Sequence, residues 1–161
     1  MVVDLSQVVN VEGARVQFDG EADLSGYDAL DFIEPVKVSG TVSNLGGDID
    51  IVVKASGKAR FVCDRCLDEF EREISVEFSE RLVKSDLNSN EEDDTISFSG
   101  NSIDIDNLLV DNFITSLPIK TLCREDCKGL CGSCGKNLNE GDCDCSAPTD
   151  PRFDVLDNLN L

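Results

Sequence analysis

The chain has 161 residues, a formal net charge of −19 and 40% hydrophobic residues. This apolar content excludes a disordered chain, and the negative charge excludes binding of nucleic acid through the overall electrostatics of the molecule. No apolar stretch approaches the ~20 residues that span a bilayer, and the first residues lack the basic and apolar regions of a signal peptide. We therefore expect a cytoplasmic protein with no membrane partner, in which disulfides rarely persist.

Four segments in the first half of the chain alternate apolar and polar residues with a period of two, which is typical of half-buried strands. A loop at 44–48, with two glycines, joins the second segment to the third as a hairpin. We predict an α+β fold that is mainly β, an antiparallel meander curling into a small open barrel. The four predicted strands cover residues 14–24, 36–43, 49–61 and 70–82, and a further short strand is expected at 95–98.

One helix is predicted over about residues 104–117, because apolar residues recur there at helical spacing. Ser102 or Asp104 can cap its start, and Pro118 ends it. We expect this helix to cover the open face of the sheet. Its apolar stripe consists of Ile105, Leu108, Leu109, Phe113 and Leu117.

The chain changes character after Pro118, where cysteine, glycine and polar residues replace the apolar pattern. We therefore divide it into a β-rich domain, 1–118, and a cysteine-rich metal-binding segment with its tail, 119–161. A segment this poor in apolar residues needs a cross-link to be ordered. A polar loop is predicted at 85–94 and a short helix within the tail at 147–159.

Eight cysteines and no histidine are present, and six of the cysteines lie within residues 123–145. In a cytoplasmic protein this spacing favours a metal site over disulfides. Zinc takes four ligands, and a Cys-x2-Cys turn supplies two of them; an iron–sulfur cluster is the less favoured alternative. The predicted cofactor is a structural zinc ion, and its main site consists of Cys131, Cys134, Cys143 and Cys145.

The other cysteines leave several readings open. Cys127 is the preferred substitute ligand at the main site, and Cys123 is a further candidate. Both can instead join Cys63 and Cys66 in a second metal site. The Cys63–Cys66 pair also suits a disulfide, a buried turn or a redox dithiol, although its acidic neighbours oppose the thiolate that redox chemistry needs.

Two features of the cysteine-rich segment bear on activity. A zinc ion bound by four thiolates has no open position for water, and the chain has no histidine to act as a general base. We therefore predict that the protein is not an enzyme. Four basic residues punctuate the segment. They are candidates for contact with RNA or a partner, although solvation of the metal-binding turn is the favoured explanation. These residues are Lys120, Arg124, Lys128 and Lys136.

Four parts of the sequence resemble the large ribosomal RNA subunit accumulation protein family, also called YceD. The resemblance covers nearly the whole chain. Gly132 stands where the family often has proline, and some members lack most of the C-terminal cysteines. The matching segments are FVCDRCLDEF at 61–70, LPIKTLCREDCKGLCGSCGKNLN at 117–139, CDC at 143–145 and DPRFDVL at 150–156.

The resemblance implies a bacterial, cytoplasmic, non-enzymatic factor in ribosome biogenesis that supports accumulation of large-subunit (23S) ribosomal RNA. Family members are often encoded beside a small basic ribosomal protein of the large subunit. A chain with charge −19 suits such a partner, so we expect it to bind a basic ribosomal protein or a ribosomal precursor. The alternatives are an RNA-binding zinc-knuckle module and a thiol redox protein that uses Cys63 and Cys66.

Overall fold

The computed structural model of the protein describes residues 1–27, 30–85 and 95–145. The predicted tail helix lies outside these residues, as does the predicted polar loop beyond Ser85. The chain divides into two compact units. The β-rich unit comprises Met1–Phe61 and Glu71–Ile119, and the cysteine-rich unit comprises Val62–Phe70 and Lys120–Leu161. The cysteine-rich unit thus includes Val62–Phe70, which the division of the sequence at residue 118 places in the β-rich domain.

Strands dominate the described residues, and the longer of the two helices there has 11 residues. Neither helix in this part of the chain is long and apolar enough to cross a membrane. The elements in chain order are β1 (Val2–Asp4), α1 (Ser6–Val9), β2 (Arg15–Ala22), β3 (Asp31–Phe32), β4 (Val36–Leu45), β5 (Asp48–Val62), β6 (Glu69–Lys84), β7 (Thr95–Phe98), β8 (Ser102–Asp104) and α2 (Asp106–Ser116).

The main sheet has the strand order β2-β4-β5-β6-β7, and β3 pairs with the end of β5. Strands β2, β4 and β5 are antiparallel neighbours, and the sheet curls into a half-barrel, so the predicted mainly β fold is confirmed. Strand β7 departs from the meander because it runs parallel to β6. Strands β1 and β8 form a separate two-stranded sheet. Ion pairs along β5 and β6 join Asp50 to Arg81, Lys54 to Glu77 and Lys58 to Glu71.

The turn between β4 and β5 is the predicted hairpin. Gly46 and Gly47 have φ values of 67° and 98°, the left-handed conformation that a two-residue turn of this kind requires. Asn44, a buried polar residue just before the turn, accepts a hydrogen bond from the Gly47 amide at 3.0 Å. Its side-chain amide donates to the Val8 carbonyl at 2.9 Å, which ties the hairpin to α1.

Helix α2 supplies apolar side chains to the core of the β-rich unit, as predicted. Ile105, Leu109 and Phe113 are fully buried, and the Phe113 ring meets Phe32 edge-on with its centroid at 5.1 Å. The start of the helix differs from the prediction, because Ile105 is its N-cap residue and makes no side-chain capping bond. Asp104 ends β8, but its carboxylate still makes a side-chain bond to the start of the helix, because it accepts the amide of the first helical residue, Asp106, at 3.2 Å.

Candidate metal centre

The eight cysteines lie in two groups of four, both within the cysteine-rich unit. In each group the four sulfur atoms lie within 4.8 Å of one another. Quartet A consists of Cys63, Cys66, Cys123 and Cys127, and quartet B consists of Cys131, Cys134, Cys143 and Cys145. The structure thus brings together the four residues predicted as the main site, and it places Cys123 and Cys127 with Cys63 and Cys66.

The spacing of the sulfur atoms in quartet A suits a single metal ion. The Cys63 and Cys127 sulfurs are 3.8 Å apart, and those of Cys66 and Cys123 are 3.7 Å apart. A tetrahedral zinc ion with Zn–S bonds of about 2.3 Å separates its sulfurs by about 3.8 Å. An iron–sulfur cluster places several irons and sulfides between its cysteines, and four sulfurs this close leave no room for them.

All eight cysteines are free thiols in the structure.

Quartet A begins with a tight turn between β5 and β6, which we call knuckle A (residues 63–68). The Leu67 amide donates to the Cys63 carbonyl at 2.9 Å, and the Cys63 amide donates to the Asp68 carbonyl at 2.9 Å. Leu67 has a φ of 61°, a left-handed conformation that disfavours residues other than glycine. These bonds hold both sulfurs of the turn on the same side.

Quartet B begins with a second turn of the same construction, knuckle B (residues 131–136). The Gly135 amide donates to the Cys131 carbonyl at 2.9 Å, and the Cys131 amide donates to the Lys136 carbonyl at 2.8 Å. Gly135 has a φ of 72° and occupies the position that Leu67 has in knuckle A. Two Cys-x2-Cys sequences therefore form equivalent pairs of ligands.

Backbone amides favour the thiolate at the first cysteine of each knuckle. Burial opposes ionisation of Cys63, but hydrogen bonds from the amides of Cys123, Cys66 and Arg65 lower its pKa to about 6. At Cys131 the amides of Cys134 and Ser133 likewise lower the pKa to about 6. The thiolate is the form of cysteine that binds metal ions, so the lowered pKa of the first cysteine in each knuckle favours binding of a cation.

The second cysteine of knuckle A behaves in the opposite way. The Asp68 amide favours the Cys66 thiolate, but burial and the neighbouring Cys63 and Cys127 side chains raise the Cys66 pKa well above its usual value. Negative charges this close repel one another, so without a cation the quartet retains protons. A metal ion that binds to all four sulfurs must therefore displace them.

The two quartets differ in burial. Cys63, Cys66 and Cys127 are each at most 3% exposed, and Phe70 and Leu122 pack against them. The sulfur cluster is thus the core of the cysteine-rich unit. In quartet B, Cys134 and Cys145 are exposed and the other two residues are half-buried.

Two asparagines that sequence reasoning did not single out belong to this site. The Asn139 side-chain amide lies 3.3 Å from the Cys127 sulfur, and its hydrogen bond lowers the pKa of that thiol. Asn137 donates to the Asp68 carboxylate, in knuckle A, at 2.8 Å. Both residues belong to the motif KNLN at 136–139. Their position directly after a Cys-x2-Cys-Gly turn is the feature of the sequence from which a role at the site could have been predicted.

Most of the basic residues predicted to contact RNA or a partner form ion pairs or hydrogen bonds within the cysteine-rich unit. Arg124 pairs with Asp126 at 3.4 Å, and Lys128 pairs with Asp142 at 3.6 Å. Lys136 donates to the Asp142 carbonyl at 2.6 Å. Lys120 is exposed. A role of these residues in binding RNA stays a prediction.

Fold and site together define a mainly β protein with a cysteine-rich unit whose core is a cluster of four cysteine sulfurs. The chain matches the family described as "Large ribosomal RNA subunit accumulation protein YceD" over residues 51–160, more than half of its length, and it belongs to that family. The resemblance predicted from the sequence motifs is thereby confirmed.

The curated relatives are mycobacterial proteins described only as uncharacterized. One from Mycobacterium bovis is 32% identical over 79 residues, which cover 47% of this chain and 38% of that protein. One from Mycobacterium tuberculosis gives the same values. One from Mycobacterium leprae is 24% identical over 107 residues, covering 65% of this chain and 49% of that protein. The chain thus spans less than half the length of these relatives, and no solved structure matches it.

We expect Gly129→Ala to destabilise the cysteine-rich unit. Gly129 has a φ of 77°, and an added Cβ would lie 2.9 Å from the Arg65 carbonyl oxygen, which already accepts the Leu130 amide at 3.0 Å. The left-handed conformation and the backbone clash together cost about 2–4 kcal/mol. Thermal unfolding of the full chain with zinc present measures the effect.

Gly132→Ala is the matched control for this substitution. Gly132 lies within knuckle B, has no left-handed φ, and an added Cβ there has no neighbouring atom within 4 Å. Its unfolding midpoint should stay close to that of the unmodified chain. Equal midpoints for the two variants would contradict the close approach of the 129 backbone to knuckle A.

Proposed function

We propose that the protein is a non-enzymatic factor in ribosome biogenesis that supports accumulation of large-subunit ribosomal RNA. Membership of the family described by that role is the observation that carries the proposal. The donor set agrees with a non-enzymatic role, because four thiolates around one ion leave no position for a substrate or a reactive water.

The metal is proposed to be zinc, with one ion in each quartet and a structural role in both. A zinc ion neutralises thiolates that would otherwise repel one another. Quartet A forms the core of a unit with few apolar side chains, so metal binding contributes directly to the folding of that unit. The burial of Cys63 and Cys66 supports a structural role for this pair over the thiol redox alternative that the sequence left open.

The proposed partner is a basic ribosomal protein of the large subunit or a precursor particle that contains one. The net charge of −19 attracts a basic chain and repels RNA phosphates at long range. The alternative of direct RNA binding uses basic residues of the cysteine-rich unit, where Arg124, Lys128 and Lys136 contact groups of that unit.

The zinc proposal predicts two metal ions per chain. Native mass spectrometry of the purified full chain should detect two zinc ions, with all eight cysteines reduced. The double variant Cys66→Ser, Cys127→Ser should retain one ion, and so should Cys134→Ser, Cys145→Ser, because each removes two ligands from a single quartet. A single zinc ion per unmodified chain, or a mass that reveals disulfides, would count against two sites.

Depletion of the protein in the bacterium that encodes it should lower the amount of large-subunit ribosomal RNA relative to small-subunit ribosomal RNA. The ratio of the two RNAs in total RNA measures the effect, and re-expression of the protein should restore it. A ratio that depletion leaves unchanged would overturn the proposed function, whatever the metal content of the protein.

The proposed partner is tested by titrating purified basic large-subunit ribosomal proteins with the full chain at physiological salt. At least one should bind more tightly than it binds an unrelated acidic protein of similar net charge, and added salt should weaken this binding through screening. If no basic ribosomal protein binds the chain more tightly than it binds the acidic control, the proposed partner is wrong.

A matching titration with large-subunit ribosomal RNA tests the alternative of direct RNA binding. The proposed function predicts no specific binding in this arm. RNA binding that weakens on Lys128→Glu and Lys136→Glu, with a reduced dependence on salt, would favour the RNA-binding module instead.

A further inference from the structure

The side chain of Asn139 has a fixed orientation in the cysteine-rich unit. Its oxygen accepts hydrogen bonds from the Lys128 amide at 2.8 Å and from the Arg124 guanidinium at 2.7 Å. Both of these groups can only donate, so the oxygen must face them. The side-chain nitrogen of Asn139 therefore faces the Cys127 sulfur at 3.3 Å and the Asn137 side-chain oxygen at 2.8 Å.

This nitrogen gives quartet A an outer-shell donor. Cys127 is a member of that quartet, and an N–H group directed at its sulfur orients the side chain and stabilises the thiolate. The donor does not come from the chain segments that supply quartet A. It comes from the residues that follow knuckle B.

Asn139 lies along the chain between the two cysteine pairs of quartet B. The segment 135–142 connects the two cysteine pairs of that quartet, Cys131 with Cys134 and Cys143 with Cys145. A metal ion in quartet B would close this segment into a loop and restrict its conformations. Within the loop, the Asn139 amide donates to the Asn137 side-chain oxygen at 3.0 Å, so the two asparagines are held together.

Further bonds join this loop to the parts of the chain that form quartet A. The Leu138 amide donates to the Gly129 carbonyl at 2.9 Å, and Asn137 donates to Asp68 in knuckle A. Ordering of the loop therefore orders these two bonds and the three that the Asn139 side chain makes to residues 124–128. Of these five bonds, only the one from Asn139 to Cys127 reaches a sulfur atom.

We propose that Asn139 is a positioning residue that couples the two quartets, so that metal in quartet B raises the metal affinity of quartet A. The proposal rests on the zinc binding proposed above. Coupling between two binding sites is reciprocal, so metal in quartet A raises the affinity of quartet B by the same factor. Loss of an outer-shell hydrogen bond commonly lowers metal affinity about 10–100-fold, so a coupling factor of this size is expected.

The coupling factor is measured with two variants that each retain one quartet. Competition against a chromophoric zinc chelator gives the binding constant of quartet A in Cys134→Ser, Cys145→Ser and of quartet B in Cys66→Ser, Cys123→Ser. The same competition with the unmodified full chain gives the overall constant for two ions. Its ratio to the product of the two single-quartet constants is the coupling factor, about 10–100 if the proposal holds.

Substitutions of Asn139 test whether the coupling passes through this residue. Asn139→Ala, introduced into all three proteins, should bring the coupling factor close to one. Asn139→Asp retains the oxygen that Lys128 and Arg124 contact but removes the donor to sulfur, so it should lose the coupling as well. Glu140→Ala, at an exposed neighbouring position, should leave the factor unchanged.

Absorption of the fully cobalt-loaded protein gives a readout that a general loss of stability would not move. A hydrogen bond to a thiolate lowers the energy of its electrons, so Asn139→Ala should shift part of the sulfur-to-cobalt charge-transfer band to lower energy. Circular dichroism of the variants checks that the β-rich unit remains folded.

The outcomes separate this inference from the metal proposal. A coupling factor near one in the unmodified chain, with both quartets binding zinc, overturns the coupling alone. An unchanged factor in both Asn139 variants overturns the role of Asn139. Failure of both quartets to bind zinc would overturn the metal proposal and this inference together.

Discussion

The stability of the cysteine-rich unit depends first on four sulfur atoms that lie within 4.8 Å of one another. As thiolates they repel strongly at this distance, and as thiols they offer little apolar surface for a core. Backbone amides directed at Cys63 favour its thiolate, whereas burial and the neighbouring side chains raise the pKa of Cys66. A cation bound to all four sulfurs would neutralise their charge together, so under the zinc proposal the order of this unit depends on metal binding.

The sequence was sufficient to predict the features that depend on local patterns. Alternation of apolar residues located β2, β4, β5 and β6, and each Cys-x2-Cys spacing located one knuckle. The parallel pairing of β7 with β6 could not be predicted, because the period of two is the same for both directions of pairing. Strands β1, β3 and β8 have at most three residues each, too few for a period to be visible.

The sequence could predict only part of how the cysteines group into quartets, and the reason is their separation along the chain. Cys131 and Cys143 are close along the chain, so a quartet that contains both was a natural prediction. Cys66 meets Cys123 across 57 residues, a separation over which spacing carries no geometric information. The amide of Asn139 was missed because asparagine is common in turns, and only its placement beside a sulfur distinguishes it.

Quartet A has a consequence for the order of events during protein synthesis. Its first two cysteines leave the ribosome long before the last two, since Cys63 precedes its neighbour Cys127 by 64 residues. Throughout that interval knuckle A lacks the other two cysteines of its quartet, and its thiols are open to oxidation. The nascent chain therefore depends on a reducing environment until synthesis has passed Cys127, even though the finished unit buries both residues of the knuckle.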